Sequence, residues 1–525
     1  MRKILHGVFI LCVVVISYAG CTHRLERISD GGTVICNSYW GSRALDVEKN
    51  TDKPFEYGGA FDGKSFWYLV PSVNVVEAFS PHSGVIDRVA LPDTLSHAFV
   101  VNLDIHGELF LKTHDDGIYT LDIMSGKIEK LLDDRILNDG SRSIEPDLVT
   151  LPDTSLVAFA TYNEKNFESD VWLFDRTTRQ MKNITADLRQ EPGGGKDIHF
   201  WHLQFAPATN ALLFGEFTFH RTPEGTKKEI RRVWSYDVKK GTITKALLGQ
   251  REEFEVLQGN YVAPDGKRVL LAMGDCCIWD LSTGIIAEIP HVAGAGKWAI
   301  WSPSGRYITY TGSLRGEFPT AEPAWDVYVA EVNSGATRRI RNEGGSDGPL
   351  AWYAPPVSAR EINLNYLKWL LSLLDRGVES DKAVKRLQEI TGQNIGPSYK
   401  YWQQWLTENE PFLSWSEKDQ KFTLLADAKN SNIAAEVLEM IPEAKRAEWG
   451  TLKNDERASL RAEAEKQLAA QRDLEKTAWK AGVTQEIWVR IPEDKQRNWA
   501  TLKPEERIEL VAQAKRKILE QAKPQ

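Results

Sequence analysis

Few residues in this chain have the type and spacing to do chemistry. Gly344-Gly345-Ser346-Asp347-Gly348 spells a nucleophile elbow, in which a serine on a sharp strand-to-helix turn attacks a carbonyl. Here the glycines lead into Pro349-Leu350-Ala351-Trp352-Tyr353, an extended stretch and not a helix, so a loop accounts for the match. His199 and His202 are spaced like helix-borne metal ligands. Phe200 to Phe205 reads as a strand, however, where an odd offset sends two side chains to opposite faces. His114-Asp115-Asp116-Gly117 offers cation ligands, yet Asp-Gly between two strands is first a tight turn. Cys36, Cys276 and Cys277 are too few and too far apart for a disulfide framework, and their pairing stays open. Adjacent Cys276 and Cys277 should point to opposite faces of a strand. No H-E-x-x-H motif and no dinucleotide glycine fingerprint occurs, so neither a metal nor a cofactor is expected.

The amino terminus carries an address. Arg2 and Lys3 precede an apolar run from Val8 to Ile16, followed by small residues and a cysteine. A run this short falls well below the about 20 residues a membrane-spanning helix needs, and reads as a secretory signal over residues 1–20. Ala19-Gly20-Cys21 resembles the lipobox of bacterial lipoproteins, with Tyr18 where that family has an aliphatic residue. The resemblance implies lipidation of Cys21, which becomes the mature amino terminus. Thr22 in place of Asp then implies release to the outer membrane of a double-membrane bacterium. Acyl chains anchor firmly because each buried methylene contributes about 0.8 kcal/mol.

At 525 residues the chain exceeds the roughly 250–300 at which a single core stops growing, so at least two folded units must position these groups. A net charge of −8 argues against a nucleic-acid partner, which would need clustered basic excess. Composition changes near residue 357: all ten His, 33 of 38 Gly and 17 of 23 Pro lie before it. The front part therefore reads as strands and turns, and the back part as helices.

The front part repeats. Val262-Ala263-Pro264-Asp265-Gly266-Lys267-Arg268-Val269 leads to Ile278-Trp279-Asp280-Leu281-Ser282-Thr283-Gly284. Ile300-Trp301-Ser302-Pro303-Ser304-Gly305-Arg306-Tyr307 leads to Val327-Tyr328-Val329-Ala330-Glu331-Val332-Asn333-Ser334-Gly335. Phe205-Ala206-Pro207 leads to Val233-Trp234-Ser235-Tyr236-Asp237-Val238-Lys239-Lys240-Gly241, and weaker endings recur at Gly117–Gly126, Asp170–Thr178 and Val75–Gly84. Pro presets one turn corner and Gly supplies a positive φ, so each copy reads as antiparallel strands with tight reversals. These residues resemble the TolB-like, WD-related β-propellers of the bacterial envelope, over about residues 33–356. That resemblance implies an all-β propeller. Seven blades at about 46 residues each suit the usual repeat of ~40–45 better than six, the alternative. The segment from Thr33 to Lys49 would be completed by Pro349–Tyr353, tying the ring shut.

Residues 21–32 then form a linker, 357–410 a helical segment and 411–525 an all-α region with a duplicated unit. In the first segment Leu364, Leu367, Leu370, Leu371 and Leu374 line one helical face before Gly377, and a second helix runs from Ser380 to Gly392. Thr391-Gly392-Gln393-Asn394-Ile395-Gly396 with Trp402 and Trp405 resembles a segment of helical-repeat regions in secreted bacterial proteins. In the duplication, Ile441-Pro442-Glu443, Trp449 and Thr451-Leu452-Lys453 recur as Ile491-Pro492-Glu493, Trp499 and Thr501-Leu502-Lys503. Trp at such repeated corners is expected in the core. Ala458 to Lys476 reads as a solvated helix, with a coiled-coil partner face as the sharper alternative. The expected function is a lipid-anchored envelope protein binding other envelope proteins or peptides, without catalysis. The alternative is a propeller enzyme or glycan binder with carboxylates in its central funnel. Radioactive palmitate should label the chain and fail to label a Cys21→Ser variant; an unlabelled, freely soluble product contradicts the anchor.

Overall fold

The structure is a computed structural model. It describes most of residues 33–521; 1–32, 246–254, 257–260, 313–325, 341–347, 426–432, 522–525 and shorter stretches lie outside the described residues, as do the side chains of 33–74. The signal segment, Cys21, the linker, His114 and Ser346 are therefore outside it.

The described strands of the front part form seven four-stranded antiparallel sheets. Sheet 1 joins Gly348–Tyr353 to Thr33–Asn37, Ser42–Asp46 and Thr51–Phe55, in that order. Its register pairs Thr33 with Tyr353 and Val34 with Trp352, so the last strand of the front part stands beside the first. Sheets 2 to 7 each take four consecutive strands and span 59–90, 99–132, 142–183, 197–245, 255–293 and 295–340. Successive sheets touch from sheet 2 to sheet 7, and sheet 7 touches sheet 1 through Ala295–Trp301 and Gly348–Tyr353. Strand Leu156–Asn163 is buried on both faces along most of its length, as a strand between two neighbouring sheets must be.

The repeated strand endings have one mechanical cause. Asp280 accepts hydrogen bonds from the Ser282 and Thr283 backbone N–H groups, while the Gly284 N–H donates to the Asp280 carbonyl. Asp122, Asp175 and Asp237 repeat this, and Gly126, Gly241, Gly284 and Gly335 follow with positive φ. At Asp175, donation from Ser155 and the Thr177 N–H holds the carboxyl down at about 2. Gly335 has a second reason to lack a side chain, since a Cβ there would sit 1.6 Å from the Pro290 carbonyl oxygen.

The helical region starts with α1 (Ala359–Asp375), capped by the Ser358 hydroxyl, which accepts from the Glu361 N–H. Helices α2 (Ser380–Thr391) and α3 (Tyr399–Asn409) follow. One apolar face was expected on α1, but Tyr366, Trp369 and Leu373 are buried along with the leucines. The cause is that α1 lies between sheets 6 and 7 on one side and α2, α3 and a β-hairpin on the other. That hairpin, Leu413–Ser416 with Lys421–Leu424, corrects the expectation that 411–525 is wholly helical. Its Trp415 and Phe422 rings pair across the strands at 4.9 Å. Beyond it come α4 (Ala435–Glu439), the long α5 (Asn454–Ala481), α6 (Gln485–Trp488), α7 (Glu493–Arg497) and α8 (Pro504–Gln521).

Two anchors tie these helices to the sheets. At the first, Arg268 is fully buried beside Asp265 at 2.7 Å, donates to the Gly305 carbonyl at 2.9 Å and lies 4.8 Å from the Trp301 ring centre. Tyr366 and Trp369 of α1 close the aromatic box, and the Tyr366 hydroxyl donates to Asp280 at 2.5 Å. At the second, Trp488, Trp499, Val511 and Ala514 pack on sheets 2 and 3, where Lys515 of α8 pairs with Asp87 and donates to the Ile123 carbonyl at 2.8 Å. The two copies of the duplication therefore have different surroundings. Trp449 plugs a small core with α4 and the start of α5, and Trp499 plugs the contact with the sheets. Both are core residues, as their position at the repeated corner suggested. Removing one partner of a buried ion pair strands the other charge, so Asp265→Ala should destabilise the protein by about 3–5 kcal/mol in urea unfolding. A loss no larger than that of an exposed Asp→Ala control contradicts the anchor.

Candidate functional site

The first anchor builds the wall of a cleft of about 610 Å³. One side is α1, with Arg360, Glu361 and Lys368; the other is α4 and α5, with Glu436, Glu439, Arg472 and Glu475; Arg306 of sheet 7 reaches in from the sheet side. Arg360 fixes the corner. Its guanidinium donates to the Leu413 and Glu410 carbonyls, each at 2.6 Å, and pairs with Glu436 at 3.2 Å. Lys368 pairs with Glu410 and Arg306 with Glu331, both at 2.7 Å. Glu439 and Glu475 accept from neutral donors, Ser414 at 2.7 Å and Gln471 at 2.8 Å. The half-exposed pairs contribute little stability, about 0–1 kcal/mol each, so their consequence is a fixed pattern of charge along the cleft.

Behind that wall, Lys267 is buried with its ammonium 2.6 Å from the Asn363 side-chain oxygen and over the Tyr366 and Trp415 rings, at 5.0 and 4.6 Å. Burial drives its pKa down to about 8; Asp265 and Asp280 oppose the shift, and Arg386 and Arg268 add to it.

A second feature lies on the first strand of sheet 5, Asp197–Ala206. Tyr162 and His199 stack at 6.3 Å and 19°, His199 and Trp201 at 5.6 Å and 19°, and His202 tilts against Trp201 at 5.5 Å. Trp201 is 36% exposed, one of few large apolar side chains so placed among the described residues. The expected alternation through this strand is interrupted: the register shifts between Trp201 and Gln204, and His202 is left-handed at φ +58. The neighbouring sheet holds the bulge, since Tyr261 donates to the His202 carbonyl and the Gln204 side chain accepts from the Val262 N–H at 2.9 Å.

Among the described residues no group of three or more His, Cys, Asp or Glu side chains is placed to hold a metal ion. Cys276 and Cys277 are both buried in strand Asp275–Asp280 of sheet 6. A phosphate-binding loop was not expected, yet residues 58–65, Gly-Gly-Ala-Phe-Asp-Gly-Lys-Ser, match its letters. The Gly59–Phe61 portion is a strand that pairs antiparallel with Phe66–Val70, Phe61 opposite Phe66, while Gly58 and 62–65 lie outside the described residues. The cleft itself was not legible, because its residues come from five separate stretches. Asn363 and Asn365 among the apolar residues of the helix were the available signal that the buried side of α1 meets polar turn groups: Asn365 donates to the Ser304 carbonyl at 3.0 Å.

No protein-family model matches this chain, and no curated protein does. Similar solved structures include TolB from Acinetobacter baumannii, at 16% identity and a TM-score of 0.30, covering 60% of this chain and 64% of TolB. The tricorn protease is similar at 11% identity and a TM-score of 0.38, over 67% of this chain and 38% of its own. An oligogalacturonate lyase from Vibrio parahaemolyticus is similar at 10% identity and 0.37, over 60% of this chain and 88% of its own. The chain thus spans less than two thirds of the length of TolB and of the tricorn protease. Among the described residues no helix is long and apolar enough to cross a membrane.

The Lys267 shift sets a pH dependence. Its folded pKa lies below the unfolded 10.5, so between about 8 and 10.5 the unfolded chain binds more protons and stability from this group rises with pH. Tyr366, pushed up by burial and by Asp280, acts oppositely above its ordinary value of 10. Melting temperatures across pH 8–9.5 should therefore rise relative to those of Lys267→Met; parallel profiles contradict the assignment.

Proposed function

We propose that this is a lipid-anchored protein of the bacterial cell envelope, held through Cys21 and released to the outer membrane. Its seven sheets close into a seven-bladed β-propeller whose helical extension forms a binding platform for envelope proteins or peptides, without catalysis. The closure reading rests on the pairing of Thr33–Asn37 with Gly348–Tyr353. It rests also on residues 56–58, a connection short enough to keep sheets 1 and 2 adjacent.

The observation that carries the binding role is the charged cleft between α1, α5 and sheet 7. Its pattern suits an extended polypeptide. Arg360 and Lys368 are matched by Glu436 and Glu410, while among the described residues Glu439 and Glu475 accept from the neutral donors Ser414 and Gln471 and can receive a basic side chain of the partner. The exposed stack ending at Trp201 favours a second reading, a glycan binder or propeller enzyme, because a flat indole face packs against sugar rings.

A photo-crosslinking amino acid at Arg472, beside the cleft, and another at Trp201 separate the two. Position 472 should capture reproducible envelope-protein partners in cells, and Glu439→Gln with Glu475→Gln should reduce capture by at least about fivefold. No protein adduct at 472, together with glycan adducts at 201, overturns the binding reading in favour of the second.

A further inference from the structure

Sheet 1 decides where the amino-terminal segment leaves the fold. Its register places Thr33, the first residue of strand Thr33–Asn37, opposite Tyr353, the last residue of Gly348–Tyr353. Paired residues of antiparallel strands stand about 5 Å apart, so the chain enters this sheet and departs from it at the same end. What departs is the helical region: Ser358, five residues beyond Tyr353, caps α1 and lines the charged cleft. Five residues span at most about 18 Å, which puts Thr33 within about 23 Å of Ser358.

The sequence ahead of Thr33 reads Thr22-His23-Arg24-Leu25-Glu26-Arg27-Ile28-Ser29-Asp30-Gly31-Gly32 and lies outside the described residues. Arg27 is six residues from Thr33 and Arg24 nine, reaches of up to about 21 and 32 Å, so both arginines can come to the cleft. Gly31-Gly32 sets no steric limit on the direction in which the chain joins the strand. The charges are complementary. Among the described residues Glu439 and Glu475 accept from Ser414 and Gln471, and Arg472 has no acidic partner. The segment offers two arginines for the two carboxylates and Glu26 for Arg472, while Leu25 and Ile28 suit the apolar lining at Leu364, Met440 and Leu468.

We propose that the cleft is filled in cis by this chain's own residues 22–30, with Arg24 and Arg27 on Glu439 and Glu475, so that a partner peptide binds only by displacing them. This rests on the reading of the cleft as a peptide site and adds the competitor that regulates it. A short connection gives the segment an effective concentration of about 1 mM. With a Kd of about 0.1 mM for the cleft, it occupies the site about nine-tenths of the time and weakens a competing peptide about tenfold.

The test uses the full chain in detergent at low salt and a fluorescent synthetic peptide of residues 22–32, followed by anisotropy. Arg24→Gln with Arg27→Gln empties the cleft without touching the folded part, so the peptide should bind this variant at least about tenfold more tightly than the wild type. Adding Glu439→Gln and Glu475→Gln to the same variant should abolish the gain. Equal binding to the wild type and the arginine variant overturns occupancy in cis and leaves the cleft a peptide site. A gain that survives the two Glu→Gln changes overturns the proposal, because the peptide is then held elsewhere. Binding to neither chain also overturns it, and capture of envelope proteins at position 472 then decides the peptide-site reading by itself.

Discussion

A guanidinium with no access to solvent is the constraint on which the rest of this structure depends. Burying Arg268 costs several kcal/mol of desolvation, and the surroundings offset it only collectively: Asp265 supplies the countercharge, the Gly305 carbonyl accepts, and the Trp301, Tyr366 and Trp369 rings present their faces. Three of these partners sit in turns or strands of sheets 6 and 7 and two on α1. The Arg268 Nη1 finds no hydrogen-bond partner among the described residues, so the two α1 rings complete its cover only when the helix is docked, and the front and back parts share one core.

Once α1 is fixed, the charged cleft follows. Arg360 and Lys368 lie on its outward side, and their partners Glu436 and Glu410 must approach to meet them. The same docking buries Lys267 against Asn363 and lowers its affinity for a proton. Charge at the site is thus set by tertiary contact and not by local sequence. That also explains why the cleft offers a fixed arrangement of both signs while the whole chain is acidic.

The parts of the fold that were legible from sequence are those whose cause is local. Asp280 through Gly284 announces a strand end because carboxylate, turn N–H groups and a positive-φ glycine lie within five residues. Gly377 and Gly392 announce helix ends for a similar reason, each being left-handed at φ +67 and +66. The bulge at His202 was hidden, since what holds it is Tyr261 in another sheet. The hairpin at Leu413 was taken for helix because its strands are only four residues each, too short for alternation to show. The Pro264-Asp265-Gly266-Lys267-Arg268 turn was read as a reversal, which it is. Its two basic residues carried the further signal that something aromatic and acidic must cover them.

If the two halves are joined as described, they should lose structure together. Scanning calorimetry of the full chain tests this most directly, with helix content and tryptophan fluorescence followed over the same temperature range. The account predicts one transition in which both probes coincide and the calorimetric and van't Hoff enthalpies agree. Two separated transitions, with helices melting while the sheets remain intact, would contradict it.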